Sequence, residues 1–150
     1  MAPDVAIVGE VRDREALPLL LTLSSGVTGY TTIHAGSARQ ALTRLRFVAQ
    51  LADSNQLPVA ALNSLVSEAV DLVVHAVRGP DGPRVMSILA VEDLTAGHDA
   101  VQFTTTELFS RVRYETQLTP TGMLPLRATH RLERAGIDVR SLLDDRAVSR

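Results

Sequence analysis

The sequence predicts an α/β protein: a parallel strand layer with flanking helices, followed by a small antiparallel appendage. Three observations carry this reading. Val5 to Val8 is a short continuous apolar run, which suits a strand covered on both faces, as in parallel sheets. A strand–helix–strand–helix order comes next, and the later segments read as strands joined by a tight turn. Between them, residues 38 to 52 repeat apolar side chains at helical spacing, which supplies a helix to pack on the layer.

After the first strand, Asp13 suits the N-cap of a helix running to about Ser25, with Gly26 as its stop. Pro18 conflicts with an unbroken helix there. It removes one backbone donor and clashes one turn back, so the helix kinks or begins near Leu17. Tyr30 to His34 is β-rich and comes after Gly29, which predicts a second strand. Ser37 and Gln40 have capping-box spacing. Beyond them Ala38, Ala41, Leu42, Leu45, Val48, Ala49 and Ala52 share one stripe of a helix. Burying Leu42, Leu45 and Val48 contributes roughly 1.5–3 kcal/mol each. Phe47 and Leu51 lie off that stripe and point to a second contact, such as another subunit.

Pro58 suits the first turn of a further helix through about Val70. Asp71 to Arg78 reads as a buried strand, Gly79 to Pro83 as a turn and Arg84 to Val91 as the returning strand of a hairpin. A weaker strand is expected over Ala100 to Thr104, and an edge strand over Arg111 to Gln117. Pro120 to Pro125 is expected to be a loop, Ala128 to Ala135 a short helix stopped by Gly136, and the tail after Leu143 frayed. These elements place a core in residues 1–94 and an appendage of strands and a short helix in residues 95–150.

Composition narrows the function classes. A length of 150 residues fits one domain, and 45% hydrophobic residues allow a core. Aromatics are 3% with no tryptophan, so that core is aliphatic. A net charge of −2 gives no footprint for nucleic acid or an anionic membrane. The absence of cysteine excludes disulfides and thiolate metal sites, and fits a cytosolic protein. No signal-peptide pattern is read at the N-terminus, and the longest apolar run, Ala16 to Leu21, is far too short to span a bilayer.

The chemistry concentrates at the ends of the first two strands. In an open α/β sheet, ligands bind beyond the carboxyl ends of the strands. Glu10 and Arg12 come after the first strand, and His34 ends the second. If the strands are parallel, these groups share one crest. An acid there can hold a Mg²⁺-bound water or orient an attacking water, while Arg12 or a histidine can neutralise phosphate charge. Each residue also has an ordinary reading. A glutamate after a strand is commonly solvated, an isolated arginine commonly forms a surface ion pair, and a histidine at a strand end is commonly a structural hydrogen-bonding group. His75 reads as a sheet-face residue, His98 as a loop residue and His130 as a helix-surface residue. No histidine pair has metal-ligand spacing, and no G-x-S-x-G elbow supports a hydrolase triad. The phosphate-loop pattern G-x-x-x-x-G-K-[ST] does not occur, and all 15 basic residues are arginines. An unrelated small α/β enzyme using His34 as a base would need a second titratable group beside it.

Four stretches resemble the type II/type IV secretion ATPases, motors of pili and secretion systems. "PDVAIVGEVRDREAL" is similar to their Walker B segment, and "TGYTTIHAGSARQALTRL" to their histidine box with the helix after it. "SEAVDLVVHAVRGPDGPRVMSILAVEDL" and "GMLPLRATHRLERAGIDV" resemble later segments of the tight-adherence pilus branch, the CpaF/TadA-like ATPases. The resemblance implies a partial RecA-like P-loop NTPase core whose P-loop strand is missing from these residues, with Met1 standing at the start of the motor's C-terminal half. It implies Glu10 as the Walker B glutamate, reaching Mg²⁺ through water only when the missing half is present. His34 becomes the histidine-box residue, and Gly9, Arg12 and Thr32 the residues beside the nucleotide. ATP and Mg²⁺ are the cofactors of such motors, and none is expected to be held by these residues alone. The resemblance likewise implies a hexamer, inner-membrane platform proteins as partners, and a place at the cytoplasmic face of the membrane without insertion. The alternative is an interaction module that packs with full-length motor subunits or with a separately encoded P-loop half. The resemblance also expects Tyr30–His34 and Asp71–Arg78 to flank the place of the absent strand, either pairing with each other or leaving a gap.

Overall fold

A computed structural model describes residues 4–53, 57–94 and 102–143. Among them lie a two-stranded parallel sheet, a four-stranded antiparallel sheet and five helices. The chain forms two compact units, residues 1–70 with 93–103, and residues 71–92 with 104–150. The hairpin of residues 72–91 lies in the second unit with the later strands.

In the first unit, strand β1 (Val5–Val8) pairs in parallel with β2 (Thr28–Thr31), in the register Val5↔Thr28 to Val8↔Thr31. The second strand thus starts earlier than the expected Tyr30, and His34 lies beyond it. Gly29 belongs inside the strand for a steric reason. A Cβ there would sit 2.2 Å from Leu23 Cδ2 and 2.8 Å from the Ala6 carbonyl oxygen, so only glycine lets Leu23 approach so closely. Helix α1 (Ala16–Ser24), which carries Leu23, touches β1. Val5 and Ile7 remain exposed, so β1 is not covered on both faces as its apolar run suggested.

Asp13 does not cap α1. Glu15 occupies the N-cap, and its carboxylate turns back to accept from the amides of Arg12 at 2.5 Å and Asp13 at 3.1 Å. Pro18 falls in the first turn, where a missing donor costs no helical bond, and Gly26 ends the segment at φ 96°. Helix α2 (Ala38–Ala52) begins as expected, with Gln40 N donating to Ser37 Oγ at 3.1 Å. The glutamine reaches back to the amide of Gly36 at 2.6 Å, one residue before the cap. Helix α3 (Val59–Ala69) begins directly after Pro58. These three helices pack on one another and bury Leu19, Leu20, Leu42, Leu45, Val48, Leu62 and Val66. Buried Asn63 accepts from Arg46 Nη1 at 3.1 Å, and the Arg46 guanidinium lies over the Phe103 ring.

In the second unit the strand order is β3 (Leu72–Gly79), β4 (Gly82–Val91), β5 (Thr105–Ser110) and β6 (Thr119–Pro120), each antiparallel to its neighbour. The β3–β4 hairpin turns at Pro80–Asp81, with Gly82 at φ 107°. β3 is an edge strand with Leu72, Val74 and Val77 exposed, not a buried one; a continuous apolar run does not by itself distinguish the two. His75 is half-buried on it, opposite Ser87. β2 and β3 belong to different sheets, so of the two expected outcomes direct pairing of these strands does not form.

The strand expected at Ala100–Thr104 is displaced to Thr105–Ser110. Residues 100 and 101, like His98 and the tail after Leu143, lie outside the described residues. Arg111–Gln117 is a looped clamp and not an edge strand. Its Tyr114 hydroxyl donates to the Gly82 carbonyl at 2.8 Å, Arg84 stacks on the Tyr114 ring, and Arg111 Nε donates to the Val85 carbonyl at 2.8 Å. These side chains spend their donors on the hairpin instead of on a ladder.

The expected loop from Pro120 gives up its first residue to β6, and helix α4 (Leu126–Arg134) starts two residues before Ala128 and ends before Gly136, at φ 77°. Helix α5 (Val139–Leu143) is the last element among the described residues. Glu92, 5% exposed, accepts from the first amides of α4, Leu126 N at 3.0 Å and Arg127 N at 2.8 Å. Asp71 meets Arg127 at 3.1 Å and Arg131 at 3.2 Å, so two acids dock this helix.

This packing sets two stability outcomes. Leu42→Ala should cost about 2–5 kcal/mol in urea unfolding, while Phe47→Ala, at an exposed site, should stay within about 0.5 kcal/mol. Glu92→Ala strands two helix-terminal amides and should cost about 1–3 kcal/mol, read as faster amide exchange across α4.

Candidate functional site

The site is built on the ends of β1 and β2. Their pairing continues past the last sheet register through two hydrogen bonds: Val11 N donates to the Thr32 carbonyl at 2.8 Å, and Thr32 Oγ1 donates to the Gly9 carbonyl at 2.6 Å. Val11 is buried, which anchors the segment. Glu10 lies between these two tethers and its backbone path is held from both sides.

The Glu10 carboxylate bridges a guanidinium and an imidazole. Oε2 accepts from Arg12 Nη2 at 2.5 Å, and Oε1 faces His34 Nε2 at 3.1 Å, which donates when that nitrogen carries the proton. The Glu10 side chain is 23% exposed, whereas that of His34 is 84% exposed. The sequence-predicted residues Gly9, Glu10, Arg12, Thr32 and His34 are therefore brought together on one crest. The loop after His34 is fixed by the Gly36–Gln40 and Gln40–Ser37 bonds at the start of α2.

Electrostatics hold this acid ionised. The hydrogen bond from Arg12 is the main cause that lowers the Glu10 pKa below its ordinary value, with burial opposing it and the charges of Arg12, His34 and Arg44 assisting. The same pair raises the Arg12 pKa, so the guanidinium stays charged. Glu15 is also lowered, chiefly by the backbone hydrogen bond from Arg12. Sequence reasoning missed Glu15 and Arg44. Neither carried a sequence signal: Glu15 is itself the N-cap of α1, so its hold on the Arg12 and Asp13 amides is not the N3 half of a capping box.

A carboxylate has about four lone-pair positions, so Arg12 and His34 leave room on Glu10 for a water. Mg²⁺ commonly takes one or two carboxylates, several waters and substrate phosphates. Among the described residues no group of three or more acidic, histidine or cysteine side chains could hold a metal ion. Glu10 by itself thus fits a water-mediated role toward Mg²⁺ and not a protein cage. Arg12 and His34 fit the edge of an anionic ligand. No helix among the described residues is long and apolar enough to cross a membrane.

The family described as "Type II/IV secretion system protein" matches residues 1–106. The probable conjugal transfer protein TrbB of Sinorhizobium fredii is 38% identical over 103 residues, covering 68% of this chain and 30% of that protein. The conjugal transfer protein TrbB of Rhizobium radiobacter is 40% identical over 99 residues, covering 65% and 29%. The chain thus spans under a third of the length of these relatives. The crystal structure of the VirB11 ATPase from the Brucella suis type IV secretion system, in complex with sulphate, superposes with a TM-score of 0.54 at 28% identity, over 59% of this chain and 28% of that one.

Because the folded pKa of Glu10 is depressed, the stabilisation from its ion pairs is fully present above the unfolded value and is lost as pH falls through the lower folded value. Carbon-13 NMR titration should place the Glu10 midpoint below the ordinary glutamate value, and Arg12→Ala should raise it. A midpoint that ignores Arg12→Ala would contradict the bridge.

Proposed function

This chain belongs to the type II/IV secretion system protein family, and on that premise we propose that it carries the acid-and-histidine half of a secretion ATPase site. The observation that carries the reading is the Glu10 carboxylate, tethered at the crest and shared between Arg12 and His34. ATP with Mg²⁺, when bound, supplies the γ-phosphoryl group and the cation that neutralises its charge. Glu10 accepts a hydrogen bond from the attacking water and orients it, or takes its proton. Arg12 sets positive charge, and His34 a ring N–H, where negative charge grows. Gly9 and Thr32 hold the strand ends at the edge of the nucleotide, their mutual hydrogen bond keeping the crest in place.

The 150 residues contain no lysine and no G-x-x-x-x-G-K-[ST], so the grip on the triphosphate comes from other residues, and this segment alone does not turn ATP over. Residues 1–94 contribute to the motor core and residues 95–150 to its appendage. The whole motor is a hexamer acting through inner-membrane platform proteins at the cytoplasmic face. Its relatives are named as conjugal transfer proteins, while the likeness of residues 67–94 and 122–139 to tight-adherence ATPases favours pilus assembly. A second reading, an interaction module that packs with motor subunits or with a separate P-loop half, is favoured by the exposed Ile7 and Tyr30 on the strand layer.

The test is ATP turnover with Mg²⁺. The chain alone should be inactive. In an assembly that supplies a P-loop, turnover should appear and fall by about 10²–10⁴-fold on Glu10→Gln, with nucleotide affinity retained. Turnover that is indifferent to Glu10→Gln would contradict the proposal.

A further inference from the structure

Helix α4 carries a charge pattern that its docking uses only in part. Arg127, His130, Arg131 and Arg134 recur at i, i+3, i+4 and i+7, so they share one side of the helix. Ala128, Thr129 and Leu132, on the other side, are half-buried. Leu126 to Arg134 holds three arginines against one glutamate, whereas the whole chain has a net charge of −2. The first pair shows what this spacing accepts. Asp71 Oδ1 meets Arg127 Nη2 at 3.1 Å and Arg131 Nη2 at 3.2 Å, so two arginines one turn apart clasp one carboxylate. His130 and Arg134 repeat that spacing, both are exposed, and neither has an ion pair among the described residues. The Arg131 side chain is 71% exposed and spends one Nη on Asp71, which leaves the rest of its donor fork in solvent.

We propose that His130, Arg131 and Arg134 dock an acidic helix of a separate protein, whose carboxylates stand one turn apart. This surface is independent of the proposed ATPase site, since the family match ends at residue 106, before α4 begins. It is set by contacts within residues 71–134 and stands whatever else the polypeptide carries. Three observations select the occupant. Guanidinium forks match carboxylates in shape and charge, and Asp71 already occupies one such clasp. The stripe is only about 10 Å long, seven residues at helical rise, which fits two turns of a partner helix. Nucleic acid draws its affinity from many neutralised phosphates, and a membrane-surface helix buries its apolar side in lipid, whereas the apolar side of α4 is half-buried on the protein. A second copy of this chain brings no matching helix: α1, α2 and α5 contain no acidic residue, and α3 and α4 contain only Glu68 and Glu133.

The experiment measures fluorescence anisotropy of labelled probes with the full polypeptide. One probe is an alanine-rich helical peptide of about 20 residues with glutamates at i, i+3, i+4 and i+7. The others are an isomer of the same composition with its glutamates spread around the helix, an oligothymidylate, and phosphatidylglycerol vesicles. The striped peptide should bind about tenfold or more tighter than its isomer and than either polyanion. The double variant His130→Glu with Arg134→Glu should lose that preference and bind a peptide striped with arginine in its place. Both side chains lack ion pairs among the described residues, so circular dichroism should not change. If α4 frays in the double variant, His130→Gln with Arg134→Gln serves instead and should lose the preference without gaining the arginine peptide. In the protein's own cells, a photo-crosslinking amino acid at Leu126, 71% exposed beside the stripe, should reach a segment of another polypeptide with acids one turn apart, and the double variant should lose it. Equal binding of the two isomers, tighter binding of oligothymidylate or vesicles, or binding indifferent to the double variant would overturn the proposal. So would crosslinks that fall only within the same polypeptide or on a second copy of it, and so would their absence.

Discussion

The parallel direction of β1 and β2 is the constraint on which the site depends. Parallel strands finish at the same edge, so the segments that leave β1 and β2 meet there. In an antiparallel pair of four-residue strands, Glu10 and His34 would leave opposite ends, roughly 13 Å apart. The sheet itself is minimal, and it is extended beyond its last register by the Val11–Thr32 and Thr32–Gly9 bonds. Those tethers position Glu10 more firmly than its own exposed ion pairs can, since exposed pairs are worth little to stability.

In the proposed function the ion pairs matter for chemistry instead. An acid that must orient or deprotonate water has to be ionised and must keep a free lone pair, and sharing its oxygens between Arg12 and His34 meets the first condition without removing the second. Glu15 supports the arrangement from behind, because its hold on the Arg12 and Asp13 amides fixes the turn from which the Arg12 side chain departs. In the proposed function, the Arg12 guanidinium beside that anion suits a site that meets phosphate, and the neutralising ammonium comes from other residues.

Whether an element could be read from the sequence depended on whether its local pattern had one physical meaning. Helix α2 was legible because helical spacing, the Ser37 cap and the Gln40 partner agree. The hairpin was legible because Gly-Pro-Asp-Gly has few alternatives to a turn. β3 and Arg111–Gln117 were misread because their meaning is set by distant partners. An apolar run is the same in a buried strand and an exposed edge, and alternating polar residues became a clamp through Tyr114 and two arginines. β5 carries Thr105, Thr106 and Glu107, too polar to announce a strand, and is held by its pairing with β4. At the site, Glu10, Arg12 and His34 were visible through a familiar pattern, whereas the reach-back of Glu15 and the field of Arg44 needed the fold.

The site depends on register, and interstrand nuclear Overhauser effects measure register directly. This fold predicts a parallel pattern joining Ile7 to Tyr30 and Val8 to Thr31, with the His34 ring close to the Glu10 side chain. An antiparallel pattern, or a parallel one shifted by a single residue, would turn Glu10 away from His34 and contradict it.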